Sequence, residues 1–116
     1  MAHLSQFVVA DEFVFFSGQI GFEAPGVLVE GGITSQAQQI FRNLDVYLAE
    51  LGMTRETVVK TTIWITDAQN FEAANEAYAQ YFGDHRPARS TTVAGLVLEG
   101  ALIEIEFVAK KPSEKR

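Results

Sequence analysis

Two segments of this chain carry residues whose types and spacing could do chemistry. The first is Pro87-Ala88-Arg89-Ser90-Thr91-Thr92, and the second, after a short loop, is Ile103-Glu104-Ile105-Glu106-Phe107. An arginine rising out of a proline-led turn offers a planar fork of N–H donors that fits a carboxylate bidentately. A glutamate on a neighbouring strand can hold or deprotonate a water. Arg89 and Glu104 together point to a site for a small carboxylic acid, with Pro87 fixing the stem of the fork and Ala88, Ser90 and Thr91 leaving space around it. Alternation places Glu104 and Glu106 on one strand face, opposite Ile103, Ile105 and Phe107. A plainer alternative stays open on these residues alone: Arg89 pairs with one of the glutamates at the surface, and the glutamates form a solvated face.

The elements that must position these residues can be read from pattern. Phe7–Ala10 and Phe13–Phe16 flank Asp11-Glu12 and read as a hairpin, although Asp-Glu is not a favoured type I′ pair. Residues 21–32, rich in glycine and holding Pro25, read as a loop with a short extended piece at 27–29. From Thr34 or Ser35 the apolar residues Ile33, Ala37, Ile40, Phe41, Leu44, Tyr47, Leu48 and Leu51 recur at helical spacing. Ser35 and Gln38 stand in capping-box spacing, and Gly52 supplies the stop. Residues 58–66 are rich in β-branched side chains, and alternation assigns Val59, Thr61, Ile63 and Ile65 to one face, Lys60, Thr62 and Trp64 to the other. A second helix over about 70–82 carries Phe71, Ala74, Ala77, Tyr78, Tyr81 and Phe82, and Gly83 closes it. Strands over 90–94 and 102–109 end the chain.

The order β-β-α-β-α-β-β predicts an α+β two-layer sandwich, one mixed sheet with both helices on one face. The other face would hold Val8 or Val9, Trp64, Leu102 and Val108, too apolar to stay wholly in water, so self-association is expected. At 116 residues and 47% hydrophobic, the chain suits a single domain over 1–116 that folds without staples. The absence of cysteine removes thiolate chemistry and, with a start that lacks a basic leader and no long apolar stretch, makes a cytoplasmic protein the expectation, with no membrane partner. Two lone histidines, His3 and His85, leave too few ligands for a metal. A net charge of −6, with the one basic cluster at the polar tail, which is expected to fray, disfavours nucleic acid.

Ser17-Gly18-Gln19, by itself a strand terminator, gains meaning in company. Together with 59–65, Phe71 through Asn75-x-x-Tyr78, Pro87-Ala88-Arg89-Ser90 and Ile103-Glu104-Ile105-Glu106, it resembles the RidA (YjgF) family of imine deaminases in order and approximate spacing over nearly the whole chain. The resemblance implies a chorismate-mutase-like fold and a homotrimer with pockets at the subunit interfaces. It implies that Arg89 grips the substrate carboxylate, Glu104 positions the hydrolytic water, and groups near Ser17 and Gly18 complete a pocket that Asn75, Thr91 and Leu4 also line. The implied reaction is cofactor-free hydrolysis of 2-iminopropanoate or 2-iminobutanoate to the 2-oxo acid and ammonia.

Two positions depart from the family pattern. Where the family carries Gly-Pro-Tyr-Ser-Gln, this chain reads Ala2-His3-Leu4-Ser5-Gln6, so a pocket tyrosine becomes Leu4; Thr91 stands where many members have cysteine. Leu4 favours a second reading, a relative specific for another enamine or imine acid of aminomuconate type; a third is a non-catalytic carboxylate-binding or chaperone-like trimer that keeps the carboxylate grip without turnover. From residue type alone, Asn75 and Tyr78 read as a helix-face polar residue and a core aromatic.

Overall fold

A computed structural model describes residues 3–113. The polar tail is described only as far as Ser113, so the fraying expected of 114–116 lies outside the described residues. The hairpin forms as β1 (Phe7–Ala10) and β2 (Phe13–Phe16), its turn made possible by Asp11 in the left-handed region at φ 56°. Residues 21–32 are more ordered than a loop. They hold a second small hairpin, β3 (Phe22–Ala24) and β4 (Val27–Leu28), turned at Pro25-Gly26 with Gly26 at φ 75°.

Helix α1 runs Gly32–Glu50, starting before the expected Thr34 or Ser35. The capping box does not form: Gly31, at φ 116°, takes the cap position, and no side chain caps the first turn. Its inner stripe buries Ala37, Ile40, Phe41, Leu44 and Leu48, with Ile33, Tyr47 and Leu51 packed at the margin. Strand β5 (Val58–Ile65), helix α2 (Phe71–Phe82), strand β6 (Ala88–Val93) and strand β7 (Ile103–Lys110) complete the chain. A short 3₁₀ turn, Ala68–Asn70, leads into α2, and Asp67 caps that turn by accepting from the Gln69 N–H at 2.9 Å.

The main sheet has the order β1-β2-β7-β5-β6, with β5 and β6 parallel and the other pairs antiparallel. Both helices cover one face, giving the expected α+β sandwich. Two readings of the strands need correction. First, β6 and β7 follow one another in sequence but are not neighbours, because β5 lies between them. Second, Val59 does not face the core. The pairing of β5 with β7 slips between Val58 and Lys60, so Val59 is the extra residue of a β-bulge and stays 40% exposed, while Val58 is fully buried in its place. The His85 ring nitrogen lies 2.6 Å from the Val58 carbonyl, beside the bulge.

Between the layers, Thr61, Ile63 and Ile65 of β5 meet Ile103, Ile105 and Phe107 of β7, and Phe41, Tyr78 and Phe82 close over them. Outside the core, Arg55 ties the two helices together. It pairs with Asp45 of α1 at 3.2 Å, donates to the Tyr81 carbonyl of α2 at 2.6 Å and stacks on the Tyr81 ring. The opposite face of the sheet has no helix, and the in-register row Val8, Phe15 and Val108 leaves Val8 and Phe15 about half exposed. No helix among the described residues is long and apolar enough to cross a membrane.

Helix α1 offers a direct check of this packing. Leu44 is fully buried and Val46, two residues on, is 58% exposed. Leu44→Ala should cost about 2–5 kcal/mol and Val46→Ala less than about 0.5 kcal/mol. Urea unfolding at one fixed protein concentration measures both, and equal costs would mean that the helix presents a different face.

Candidate functional site

Glu104 lies on the helix-free face of β7, where register sets it beside Trp64 of β5 and Thr92 of β6 lies one strand further on. Its carboxyl group rests against Gly18, so closely that a Cβ at position 18 would overlap Glu104 Oε2. The segment that carries Gly18 is fixed from several directions. Ser17 donates from Oγ to the Ser5 carbonyl at 2.6 Å and from its N–H to the Gln6 carbonyl at 2.9 Å. Gln19 exchanges two backbone hydrogen bonds with Ile105, at 2.7 and 3.0 Å, and its buried side chain donates to the Ser17 carbonyl and to Gln6. Burial, and secondarily the like charge of Glu106, hold the Glu104 carboxyl above the usual carboxylate range.

This carboxyl opens into a cleft of about 820 Å³ between the segments that precede β1 and follow β2, helix α1, the β3–β4 hairpin and the loop from β6 to β7. Leu4, Ile20, Phe22 and Tyr47 give it apolar walls, and Leu98 reaches it from the loop. That loop is held by Gln36 of α1, which donates to the Gly100 carbonyl at 3.0 Å and accepts from the Leu102 N–H at 2.8 Å.

Arg89 occupies a second, smaller hollow of about 300 Å³ with Asn75, Tyr78, Phe82, His85 and Pro87. It sits on the sheet-edge strand β6, in register with Thr61 of β5, and both face the helices. Its guanidinium donates to Asn75 Oδ1 at 2.8 Å and lies over the Tyr78 ring at 4.8 Å and the Phe71 ring at 5.9 Å. With one nitrogen engaged and two aromatic faces beneath it, the fork has a set direction and donors to spare. Thr91, two residues on, shares the same side of the strand.

The structure therefore brings Ser17, Gly18, Leu4 and Glu104 together on one side of the sheet, and Arg89, Asn75 and Thr91 together on the other. It does not bring the two groups together within one chain, and Arg89 pairs with Asn75 rather than with Glu104 or Glu106. Among the described residues, no three His, Asp or Glu side chains converge as a metal site would need.

The family described as Endoribonuclease L-PSP matches residues 1–111 of this sequence. The chain belongs to that family, the RidA or YjgF proteins. It is 46% identical over 110 residues to a RutC family protein of Aquifex aeolicus, covering 92% of this chain and 87% of that one. It is 40% identical over 106 residues to the human 2-iminobutanoate/2-iminopropanoate deaminase, covering 90% and 77%. Among solved structures, a putative endoribonuclease of Thermotoga maritima superposes with a TM-score of 0.90 at 38% identity, covering 97% of this chain and 90% of that one.

Within this RidA domain, two contributions were not visible as site features in the sequence. Tyr78 is the platform under Arg89 as well as a core aromatic, and the signal for it is its place one helical turn after Asn75. Gln19 fixes the segment that carries Gly18. No local pattern marks it, because its role depends on Gln6 and Ile105, which are distant in sequence.

Two outcomes follow from the Glu104 side. Gly18→Ala should leave the fold intact but displace the carboxyl, lowering turnover at least tenfold, a loss of about 1.4 kcal/mol in transition-state stabilisation; unchanged kinetics would remove Glu104's resting position from the chemistry. A base with a raised pKa is protonated, and inactive, until pH climbs above the usual carboxylate range, so kcat/KM should fall on the acid side through that raised value. Glu106→Gln removes the like charge and should move this limb to lower pH without returning it fully, since burial is the larger cause. A pH–rate profile unmoved by Glu106→Gln would mean that the limb reports another group.

Proposed function

We propose that this protein hydrolyses small 2-imino acids to 2-oxo acids and ammonia without a cofactor, at sites shared between two copies of the chain in a homotrimer. The observation that carries this reading is the division of the site: a directed guanidinium on one side of the sheet and a half-buried carboxyl on the other, each open and each incomplete. The apolar row of Val8, Phe15 and Val108 on the helix-free face supplies surface for the contact between copies. Relatives about 40% identical that carry the name 2-iminobutanoate/2-iminopropanoate deaminase support the reaction class. RNA hydrolysis, which the family's description suggests, fits poorly with a net charge of −6.

In this mechanism Arg89 holds the carboxylate of the imino acid bidentately and so fixes the imine carbon. Glu104 from the neighbouring copy accepts a proton from water as its oxygen bonds to the iminium carbon, giving a carbinolamine. Glu104 then returns that proton to nitrogen. The C–N bond breaks as the C=O bond forms, ammonia leaves, and the hydroxyl proton passes to solvent. Iminium and water become 2-oxo acid and ammonium, and no electrons are transferred.

The cleft favours a second reading of the substrate within the same chemistry. Leu4, 57% exposed at the rim of the cleft, gives the space beside Glu104 an apolar side chain. Such a wall suits a bulkier, more apolar enamine or imine acid.

Light scattering should give a mass near three times 12.8 kDa. Arg89→Ala and Glu104→Gln should each be nearly inactive in oxo-acid release from freshly generated 2-iminopropanoate. Unfolded together in equal amounts and refolded, they should regain roughly a quarter of wild-type activity, because roughly one interface in four then joins an intact Arg89 to an intact Glu104. No recovery from soluble mixed assemblies would rule out a shared site. Full activity of Glu104→Gln alone would mean that a group other than Glu104 activates the water, whereas a wild-type protein that binds the acid but releases no oxo acid would favour a carboxylate-binding role.

A further inference from the structure

The interior of the sheet holds one threonine whose burial is complete. Thr61 of β5 is 0% exposed among Ile63, Ile65 and Phe107, a position where valine would fill the same space without a hydroxyl to satisfy. Its Oγ1 lies 2.9 Å from the hydroxyl of Tyr78, which is itself buried. Tyr78 is the residue whose ring lies 4.8 Å beneath the Arg89 guanidinium, and Thr61 is the cross-strand partner of Arg89 itself. A closed loop of contacts results: backbone pairing from Arg89 to Thr61, hydroxyl to hydroxyl from Thr61 to Tyr78, and ring to guanidinium from Tyr78 back to Arg89.

We propose that Thr61 and Tyr78 are positioning residues for Arg89, a pair of buried hydroxyls that sets the tilt of the aromatic platform and through it the direction of the carboxylate-binding fork. This rests on the reading of Arg89 as the carboxylate grip. Asn75 holds one guanidinium nitrogen from the same helix, but a single hydrogen bond leaves the plane free to turn about it. The Tyr78 ring limits that rotation, and without the hydroxyl pair the ring is located only by packing against Phe41 and Phe82. The Thr61 hydroxyl references the ring to β5, the strand against which Arg89's own backbone is paired. The donor geometry and its strand are thereby fixed to one frame. A phenylalanine at 78 would still stack under the guanidinium, so the hydroxyl's contribution is separable from that of the ring.

The test uses the intact assembled protein and pyruvate, a 2-oxo acid, as the probe in titration calorimetry. Thr61→Val and Tyr78→Phe should each weaken pyruvate binding about three- to tenfold, and the double variant no further than either alone, because each removes the same link. Thr61→Ser, which keeps the hydroxyl, should bind within about twofold of the wild type. In turnover of 2-iminopropanoate the Val and Phe variants should raise KM by the same factor with kcat little changed, since the carboxylate is held alike before and during reaction. If Thr61→Val lowers the melting temperature yet binds pyruvate like the wild type, or if the two effects multiply in the double variant, the hydroxyl pair is only core packing and the proposal fails. Tyr78→Phe carries the same decision should Thr61→Val not fold. Arg89→Lys serves as the reference. If it too binds pyruvate normally, the carboxylate-grip reading fails and takes this inference with it, whereas a loss seen in Arg89→Lys alone overturns the inference only.

Discussion

The register of β7 is the constraint on which the rest of this structure depends. The strand alternates strictly, with Ile103, Ile105, Phe107 and Ala109 beneath the helices and Glu104, Glu106, Val108 and Lys110 on the open face. A slip by one residue would press two glutamates and a lysine into the core and lift four apolar side chains into water. Such a slip is opposed from both sides, since β7 pairs with β2 along one edge and β5 along the other. Two further clamps act at its start, the Gln19–Ile105 bridge and the Gln36 side chain that holds Gly100 and Leu102. Fixing hydrophobic contacts and fixing Glu104 are thus one event.

The two halves of the site use opposite means to prepare charge. On the open face an atom is absent: glycine at 18 lets the Glu104 carboxyl fold back out of water, which raises its proton affinity. On the helix side atoms are added. Two aromatic rings and an amide oxygen surround the Arg89 guanidinium, whose charge tolerates such partial desolvation because it is delocalised and weakly hydrated. Each half stands on its own scaffold, one on the hairpin end of the sheet and one on the β5–α2–β6 unit.

What could be read from the sequence was what depends on neighbours within a turn or two. The stripes of α1 and α2 and the alternation of β7 fall in this class, and so does the motif order that identified the family. Arg89, expected to rise out of a proline-led turn, lies instead within β6, and the chain turns earlier, at Gly83-Asp84. Val59 was misassigned because a bulge belongs to a pair of strands: alternation along β5 is regular until β7, more than forty residues away in sequence, fails to keep step with it. The β3–β4 hairpin was too short to leave a periodic trace. The start of α1 went to a left-handed glycine in place of a serine box, a choice settled by local backbone conformation. Most consequential for the site, β5 lies between β6 and β7, and its register with each sets Arg89 with Thr61 toward the helices and Glu104 with Trp64 on the open face, a relation that no local pattern carries.

The last strand of the chain is also the middle strand of its sheet, and its partner β2 lies near the beginning of the sequence. In many domains the terminal segment is an edge that can fray while the remainder persists. Here, detaching the final strand would divide the sheet into a hairpin and a β5–β6 pair, neither with a complete core. Loosening at that end cannot stay at an edge, because β7 would leave two sets of pairings at once and uncover Ile103, Ile105 and Phe107 together. The carboxyl group at Glu104 consequently shares the lifetime of the native state as a whole.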